Sequence, residues 1–192
     1  MDRVAFIPTL GACPFMAAAF MDNYDKVWGN KVNRLFVMQN GAACKELRDF
    51  MRWRVDKSAN TVLISANTHI GHGNAIRQMF DNSTEEYIVL LEDDSYILDP
   101  SFIDECFGYL ERGERDFAGQ LRAADAPDLM RRTQEVFNLP TIETTFHPCF
   151  AFGKRSDYLK TDLLFVNRFL SQFLSEVLSQ HQEYSGFGME TR

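Results

Sequence analysis

The run Tyr87 to Leu91 is apolar at nearly every position and then stops in three consecutive acids, Glu92, Asp93 and Asp94. A strand with one wet face alternates apolar and polar residues, so a run without alternation has to be covered on both faces. Val4 to Ile7, Leu35 to Met38 and Thr61 to Ser65 are further short runs of this kind, and amphipathic stretches separate them. This pattern belongs to an α/β layer fold: a Rossmann-like, mostly parallel central sheet flanked by helices.

The helical stretches are readable between the strands. From Pro14 a stripe of Met16, Phe20, Tyr24 and Val27 predicts a helix ended by Gly29. Asn40-Gly41 closes the second strand, and Ala43, Leu47, Phe50, Met51 and Val55 share one face of the next helix. A third helix starts near His72, with Ile76, Met79 and Phe80 inward. Asp99 and Pro100 make an N-cap and first helical position for Phe102 to Leu110. Further strands are expected at Asp116 to Leu121 and Cys149 to Phe152. Between them, residues 123–145 read as a long excursion with a helix around Leu129 to Phe137. Val166, Phe169, Leu170, Phe173, Leu174, Val177 and Leu178 form an amphipathic stripe, either a core helix or a self-association face that would make a homodimer.

With 192 residues, one domain covering 1–192 is the expectation. Against 20 Lys and Arg stand 27 Asp and Glu, a formal charge of -7, which weighs against a dedicated nucleic-acid binder. A phosphate-bearing ligand then has to be held by local chemistry: a metal ion, helix N-termini or a few placed cations. The four cysteines, Cys13, Cys44, Cys106 and Cys149, form no C-x-x-C pair and no cluster with His, so neither zinc nor a disulfide framework is indicated. No signal-peptide pattern and no transmembrane-length apolar run is present, and a cytoplasmic setting is expected.

In an open α/β sheet the carboxyl ends of the strands line the ligand crevice, which places Glu92, Asp93 and Asp94 there. Packed together they repel, and a hard divalent cation, Mg2+ or Mn2+, neutralises them. The alternative is a solvated acidic loop capped by Asp99. A phosphoryl-accepting acidic pocket would need acids at earlier strand ends, where the chain has Pro8-Thr9 and Gln39-Asn40.

The acidic strand end resembles the D-x-D region of GT-A fold glycosyltransferases, most closely of the family 2 type. The resemblance runs over residues 4–157. It implies that Asp94 is the direct metal ligand, with Glu92 also on the metal and Asp93 supporting metal and ribose. Ile7-Pro8-Thr9 resembles the family's first strand and turn, which contacts the nucleoside. Val37-Met38-Gln39-Asn40-Gly41-Ala42 resembles its V-x-D-D-G-S segment, with Gln39 in place of an acid and Ala42 in place of serine. The amides of Gln39 and Asn40 remain able to pair with a pyrimidine edge, which favours a UDP-sugar. Asn67 to Arg77, N-T-H-I-G-H-G-N-A-I-R, resembles the family's N-x-G segment leading into A-R-N. Gly71 and Gly73 permit close backbone approach, the following helix start offers N–H groups to phosphate, and Arg77 adds charge. The bland reading of this segment is an ordinary strand-to-helix turn.

The resemblance implies a nucleotide-diphosphate sugar as donor, bound by residues 1–121, and an acceptor met by residues 122–192. Inverting transfer needs a base for the acceptor proton. Glu190, within Tyr184-Ser-Gly-Phe-Gly-Met-Glu, resembles that acid, although it equally reads as a terminal carboxylate two residues from the last position. His147 precedes the strand that runs below the acceptor and could orient it or complete a metal site; a structural histidine beside Pro148 is the other reading. Lys154 and Arg155 follow that strand as basic residues able to meet diphosphate or acceptor; a solvated basic pair is the other reading.

G-x-G-x-x-G, the glycine-rich basic loop of sugar nucleotidyltransferases and the P-loop signature are all absent. The rival to a transferase is a non-catalytic nucleotide- or sugar-binding module of the same fold. A viral-type transferase acting on a modified DNA base is a third reading, with Arg48, Arg52, Arg54 and Lys57 as its basic strip.

Overall fold

Four of the apolar runs become parallel strands; three are covered on both faces, and Thr61–Ala66, at the sheet edge, is only partly buried. The computed structural model describes residues 2–8, 10, 13–41, 44–123 and 144–160. In chain order these are β1 (Arg3–Ile7), α1 (Pro14–Asn23), a π turn (Tyr24–Trp28) and a 3-10 turn (Gly29–Lys31), β2 (Arg34–Asn40) and α2 (Lys45–Asp56). There follow β3 (Thr61–Ala66), α3 (His72–Asn82), β4 (Tyr87–Leu91), α4 (Ser101–Glu111), β5 (Phe117–Ala123), β6 (Thr144–Lys154) and α5 (Arg155–Lys160).

The strands form one six-stranded sheet in the order β3-β2-β1-β4-β6-β5. β1 to β4 are mutually parallel, whereas β6 runs antiparallel to both β4 and β5. The mostly parallel α/β sheet read from the sequence is therefore what the chain forms. Gly119, at φ +150°, sits at a register shift between β5 and β6, where a Cβ would collide with the Phe150 carbonyl oxygen.

Alternate residues of each parallel strand enter two cores. Ala5, Ile7, Leu35, Val37, Val89 and Leu91 meet α1, α2 and α4, and Trp28 and Phe107 are fully enclosed among them. Val4, Phe6, Phe36, Met38, Ile88 and Leu90 meet α3 and α5 through Met79, Phe80 and Tyr158. Phe6 stands edge-on to Phe36 and Phe80, with ring centroids 5.7 and 5.3 Å apart. Burying such a ring stabilises the fold by roughly 1.5–3 kcal/mol.

The first helix departs from its expected stripe. Met16 is 40% exposed, and the buried face is Ala17, Phe20, Met21, Tyr24 and Trp28. The π turn widens the helix by one residue per turn and brings Trp28 inward where a 3.6-residue period favoured Val27. Asp99 Oδ1 accepts from Ser101 N at 2.9 Å at the entry to α4, whose cap position falls on Pro100, one residue later than expected. Ala43, the helix expected at Leu129 to Phe137 and the stripe from Val166 to Leu178 lie outside the described residues.

The amino ends of the strands are held by charge. Arg3, 5% exposed, donates to Glu111 at 2.8 Å and Asp104 at 3.0 Å and lies over the Phe107 ring. Arg34 pairs with Glu85, which is almost fully buried, and stacks on Phe36. Burial raises the Glu85 pKa, but hydrogen bonds from Arg34 and from the Thr84 backbone outweigh it and leave it below the ordinary 4.5. A lowered folded-state pKa contributes stability that is present above pH 4.5 and lost as pH falls through the folded value. Glu85→Gln should cost about 2 kcal/mol in urea unfolding at neutral pH, the difference narrowing as pH falls through the lowered folded-state value.

Candidate functional site

Because β1 to β4 are parallel, their carboxyl ends share one edge of the sheet, and the chain order reverses between β1 and β4. A crevice opens at such a switch point. Glu92, Asp93 and Asp94 lie at its rim. Ser95 N donates to Glu92 O at 3.0 Å, and Glu92 N donates to Ser95 Oγ at 3.3 Å. These bonds close a tight turn with Asp93 and Asp94 as its two central residues. Glu92 and Asp93 are half-buried, and Asp94 is exposed.

The turn is anchored from α1. Asn23, 1% exposed, donates through Nδ2 to Ile97 O at 2.8 Å and accepts at Oδ1 from Ile97 N at 3.0 Å. The same oxygen accepts from Trp28 Nε1 at 3.1 Å. One amide thus acts as a strand partner for the segment that leaves the acids. Sequence reasoning missed Asn23; the available signal was a carboxamide three residues after Phe20 on a helix face that is otherwise apolar.

A second amide organises the loop before α3. Asn40 Oδ1 accepts from Ile70 N at 2.8 Å, and its Nδ2 donates to Gly71 O at 3.3 Å. Gly41, at φ +117°, lets His69 pack beside it; a Cβ there would stand 3.4 Å from His69 N. Gly71 is the N-cap of α3 at φ +83°, a conformation that suits glycine, and Gly73 follows in the first turn. His72 opens the helix with its Nε2 enclosed and, among the described residues, without a hydrogen-bond partner. Burial lowers the His72 pKa; the charge of Glu92 opposes this and His69 adds to it. The imidazole is therefore neutral at neutral pH and lies within electrostatic reach of the acidic strand end.

A cleft of about 180 Å³ lies between the ends of β2 and β3. It is lined by Gln39 of β2 and Gly41 just after it, by Ser65 and Ala66 of β3 and Asn67 just after it, and by Arg48 and Arg52 of α2. Gln39 is 6% exposed and forms part of its wall.

The expected site residues fall into groups. Pro8, Gln39, Asn40, Asn67, Gly71, Gly73, Glu92, Asp93 and Asp94 all sit along the carboxyl edge. Asn40 is there as a loop clamp, with both ends of its amide engaged. Arg77 is on the second turn of α3, exposed and 4.0 Å from Asp81. The backbone of His147 in β6 lies three residues beyond Phe150, the partner of Leu91, and so on the same edge as the acids. Thr9, Ala42 and Glu190 lie outside the described residues.

Two expectations change. Lys154 pairs in register with Tyr87 at the start of β4, so Lys154 and Arg155 lie at the opposite edge from the acids. Arg155 is structural there, donating to Ser83 Oγ at 2.9 Å and to Phe80 O. An antiparallel last strand puts its carboxyl end at the far side of the sheet. The basic strip on α2 is also broken: Arg54, 13% exposed in its side chain, turns onto Asp25.

Among the described residues no three His, Cys, Asp or Glu side chains converge to cage a metal. A cation shared with a diphosphate needs only one or two carboxylates, because phosphate oxygens and water complete its shell. Asp94, exposed in the turn, and half-buried Glu92 fit that donor set in type and number. Among the described residues no helix is long and apolar enough to cross a membrane.

No family model matches the chain, and no curated protein matches it in sequence. Solved structures do match. A mannosyltransferase from Pyrobaculum calidifontis, in complex with GDP-Man and Mn2+, superimposes with a TM-score of 0.59 at 14% identity over 81% of this chain and 45% of its own. TarS 1-349 of S. aureus gives 0.60 at 10% identity over 85% and 50% of the two chains. Glucosyl-3-phosphoglycerate synthase from Mycobacterium tuberculosis, in complex with UDP, gives 0.53 at 15% over 80% and 56%. The chain spans about half the length of these structures. With its 3-2-1-4 parallel half, its antiparallel β6 and its acids at the end of β4, the chain has the GT-A fold of these glycosyltransferases.

Proposed function

We propose that this chain is a metal-dependent glycosyltransferase, moving a sugar from a nucleotide-diphosphate sugar to an acceptor with inversion at the anomeric carbon. The observation that carries the reading is the closed turn Glu92 to Ser95, which presents Asp93 and Asp94 at the switch point of a GT-A sheet. A bound Mn2+ or Mg2+ would offset the charge that builds on the departing diphosphate. Asp94 would hold that cation, with Glu92 beside it, and Asp93 would support the ribose. Gln39 and Asn67 line the cleft that suits the base, and the start of α3 at Gly71 to Gly73 offers backbone N–H groups on the same edge. The matched structures with UDP and with GDP-Man and Mn2+ support this assignment.

The His147 backbone shares an edge of the sheet with the acids, which supports a role in orienting the acceptor, and Glu190 is the proposed base. The non-catalytic module is favoured by one observation: the Asn40 amide is already engaged by Ile70 and Gly71, and Gln39 is not an acid. Release of nucleoside diphosphate from a panel of UDP- and GDP-sugars, with Mn2+ and with EDTA, separates the readings. Turnover that needs Mn2+ is the expected result. Nucleotide binding without turnover would leave the module, and neither binding nor turnover would overturn both.

A further inference from the structure

Four phenylalanines form a continuous stack that runs from the core to the surface beside the acidic turn. Phe107 and Phe152 are fully buried, with ring centroids 5.0 Å apart. Phe150 stands 5.6 Å from Phe152, and Phe102, in the first turn of α4, stands 5.4 Å from Phe150 and 6.2 Å from Phe152. Phe102 is the outer end of the stack and is 41% exposed. An aromatic ring fixed from below presents contact area at little further cost in conformational entropy.

Its place in the fold is defined by the sheet. Phe150 pairs in register with Leu91, the residue before Glu92. Neighbouring strands lie about 4.8 Å apart, so the Phe102 ring is about 10 to 15 Å from the acidic turn, on its β6 side. The cleft lined by Gln39 and Asn67 is at β2 and β3, on the other side of the acids. The acids therefore stand between that cleft and Phe102.

The rim of the ring is acidic. Asp94 and Asp99 are exposed ahead of it, and Glu105, one helical turn further along α4, is exposed as well. Asp99 accepts from Ser101 N and Glu105 from the Tyr109 hydroxyl, but a carboxylate offers about four acceptor positions, which leaves room for other donors. An anionic polymer or lipid surface is repelled here, in a chain whose formal charge is already -7. A neutral saccharide matches both parts of the surface. The C–H bonds of a pyranose form an apolar, weakly positive face that suits the negative face of a phenyl ring, and its hydroxyls donate to carboxylates. A lysine-rich segment would also be attracted, by charge and by cation–π contact, but it does not carry a hydroxyl nucleophile on every unit as a saccharide does. The separation of ring and acids places Phe102 beside the second sugar of an acceptor rather than beside the reacting hydroxyl.

We propose that Phe102 is the stacking platform for the acceptor, and that the acceptor is a neutral oligosaccharide of at least two sugar units. This rests on the nucleotide-sugar reading above and names the acceptor class that it leaves open. The test is release of nucleoside diphosphate from UDP- and GDP-sugars in Mn2+. The acceptors are oligosaccharides of glucose, mannose and N-acetylglucosamine of one to four units, an oligosaccharide of uronic acids and a peptide rich in lysine and serine. A neutral series should accelerate release over water alone, and its KM should fall about tenfold from one unit to three. Phe102→Ala should raise the KM for three units about tenfold and leave the donor KM within about twofold of wild type. Phe102→Leu, which keeps apolar contact with Phe150 and Phe152, should show the same acceptor defect at an unchanged melting temperature, and Phe102→Trp should restore the wild-type KM. A readout apart from turnover is saturation-transfer NMR with the trisaccharide, Mg2+ and nucleoside diphosphate, in which the sugar C–H signals should be lost in Phe102→Leu. Acceleration by the uronic acids or the peptide but by no neutral series would overturn the inference. So would an acceptor KM in Phe102→Leu equal to that of wild type. Turnover to water that no saccharide accelerates would overturn it and leave the nucleotide-sugar reading intact, whereas absence of nucleotide binding would overturn both.

Discussion

Asp94→Ala should lower Mn2+-dependent release of nucleoside diphosphate by about 100-fold or more, with the fold unchanged. The fold survives because the turn is closed by Glu92 and Ser95 through backbone and Ser95 Oγ, and the Asp94 side chain is exposed. What is lost is a formal negative charge at the strand end in a protein that is already strongly acidic. Without it the proposed cation would no longer be held there, and the diphosphate of the donor would meet net repulsion from the remaining acids. A second readout is independent of turnover: in the variant, Mn2+ should no longer strengthen nucleoside-diphosphate binding, while metal-free affinity stays the same or improves. Asp94→Asn should behave like the alanine variant, since an amide keeps the shape and not the charge. Turnover within about threefold of wild type would remove Asp94 from the metal site and leave Glu92 as the remaining candidate.

Asn23→Ala should destabilise the protein by about 3 kcal/mol, seen as a fall of about 10 °C in melting temperature. The substitution strands three buried polar groups at once: Ile97 N–H, Ile97 C=O and Trp28 Nε1–H. Ile97 is 5% exposed and Trp28 fully buried, so water cannot take over those bonds without opening the core. The functional effect follows from place. The segment held by Asn23 leaves directly from the acidic turn, and its release lets Asp93 and Asp94 wander. Nucleotide affinity in Mn2+ should therefore fall even at temperatures where the variant is folded. Asn23→Asp should recover part of it, because a carboxylate still accepts from Ile97 N and Trp28 Nε1, and lacks only the donor to Ile97 O. Amide exchange at Ile97 reports the anchor directly. A variant melting within about 2 °C of wild type, with unchanged exchange at Ile97, would show that the amide is dispensable.

These predictions draw unequally on what could be read from the residues. The strands were legible because burial on both faces removes polar residues from the run itself, and Tyr87–Leu91 was located to the residue. The acids were legible for the same reason: an abrupt change of chemistry at a strand end is a local signal. The bond that Asp99 makes at the entry to α4 was equally local, since it reaches two residues along the chain. Asn23 and Asn40 were not legible in their roles. Their partners lie 74 and about 30 positions away, and a carboxamide looks the same whether it reads a base or clamps a loop. The π turn was hidden too, because one extra residue per turn moves the buried stripe from Val27 to Trp28 without changing composition.

Lys154 and Arg155 show the limit most clearly. Following a strand is a statement about sequence, whereas standing at one edge of a sheet depends on that strand's direction. Direction is decided by the pairing of Leu91 with Phe150 and Tyr87 with Lys154, contacts between residues 59 and 67 positions apart that no local period encodes. The sequence alone determined that the chain would form a buried α/β sheet with a carboxylate cluster at one strand end, since hydrophobic periodicity and charge are properties of neighbouring residues. Only the tertiary structure decided which groups share that edge. Asn23 holds the turn, His72 lies near Glu92, Arg48 and Arg52 face the cleft and Arg155 is sent to the far side, all because strand order and direction are settled by long-range packing.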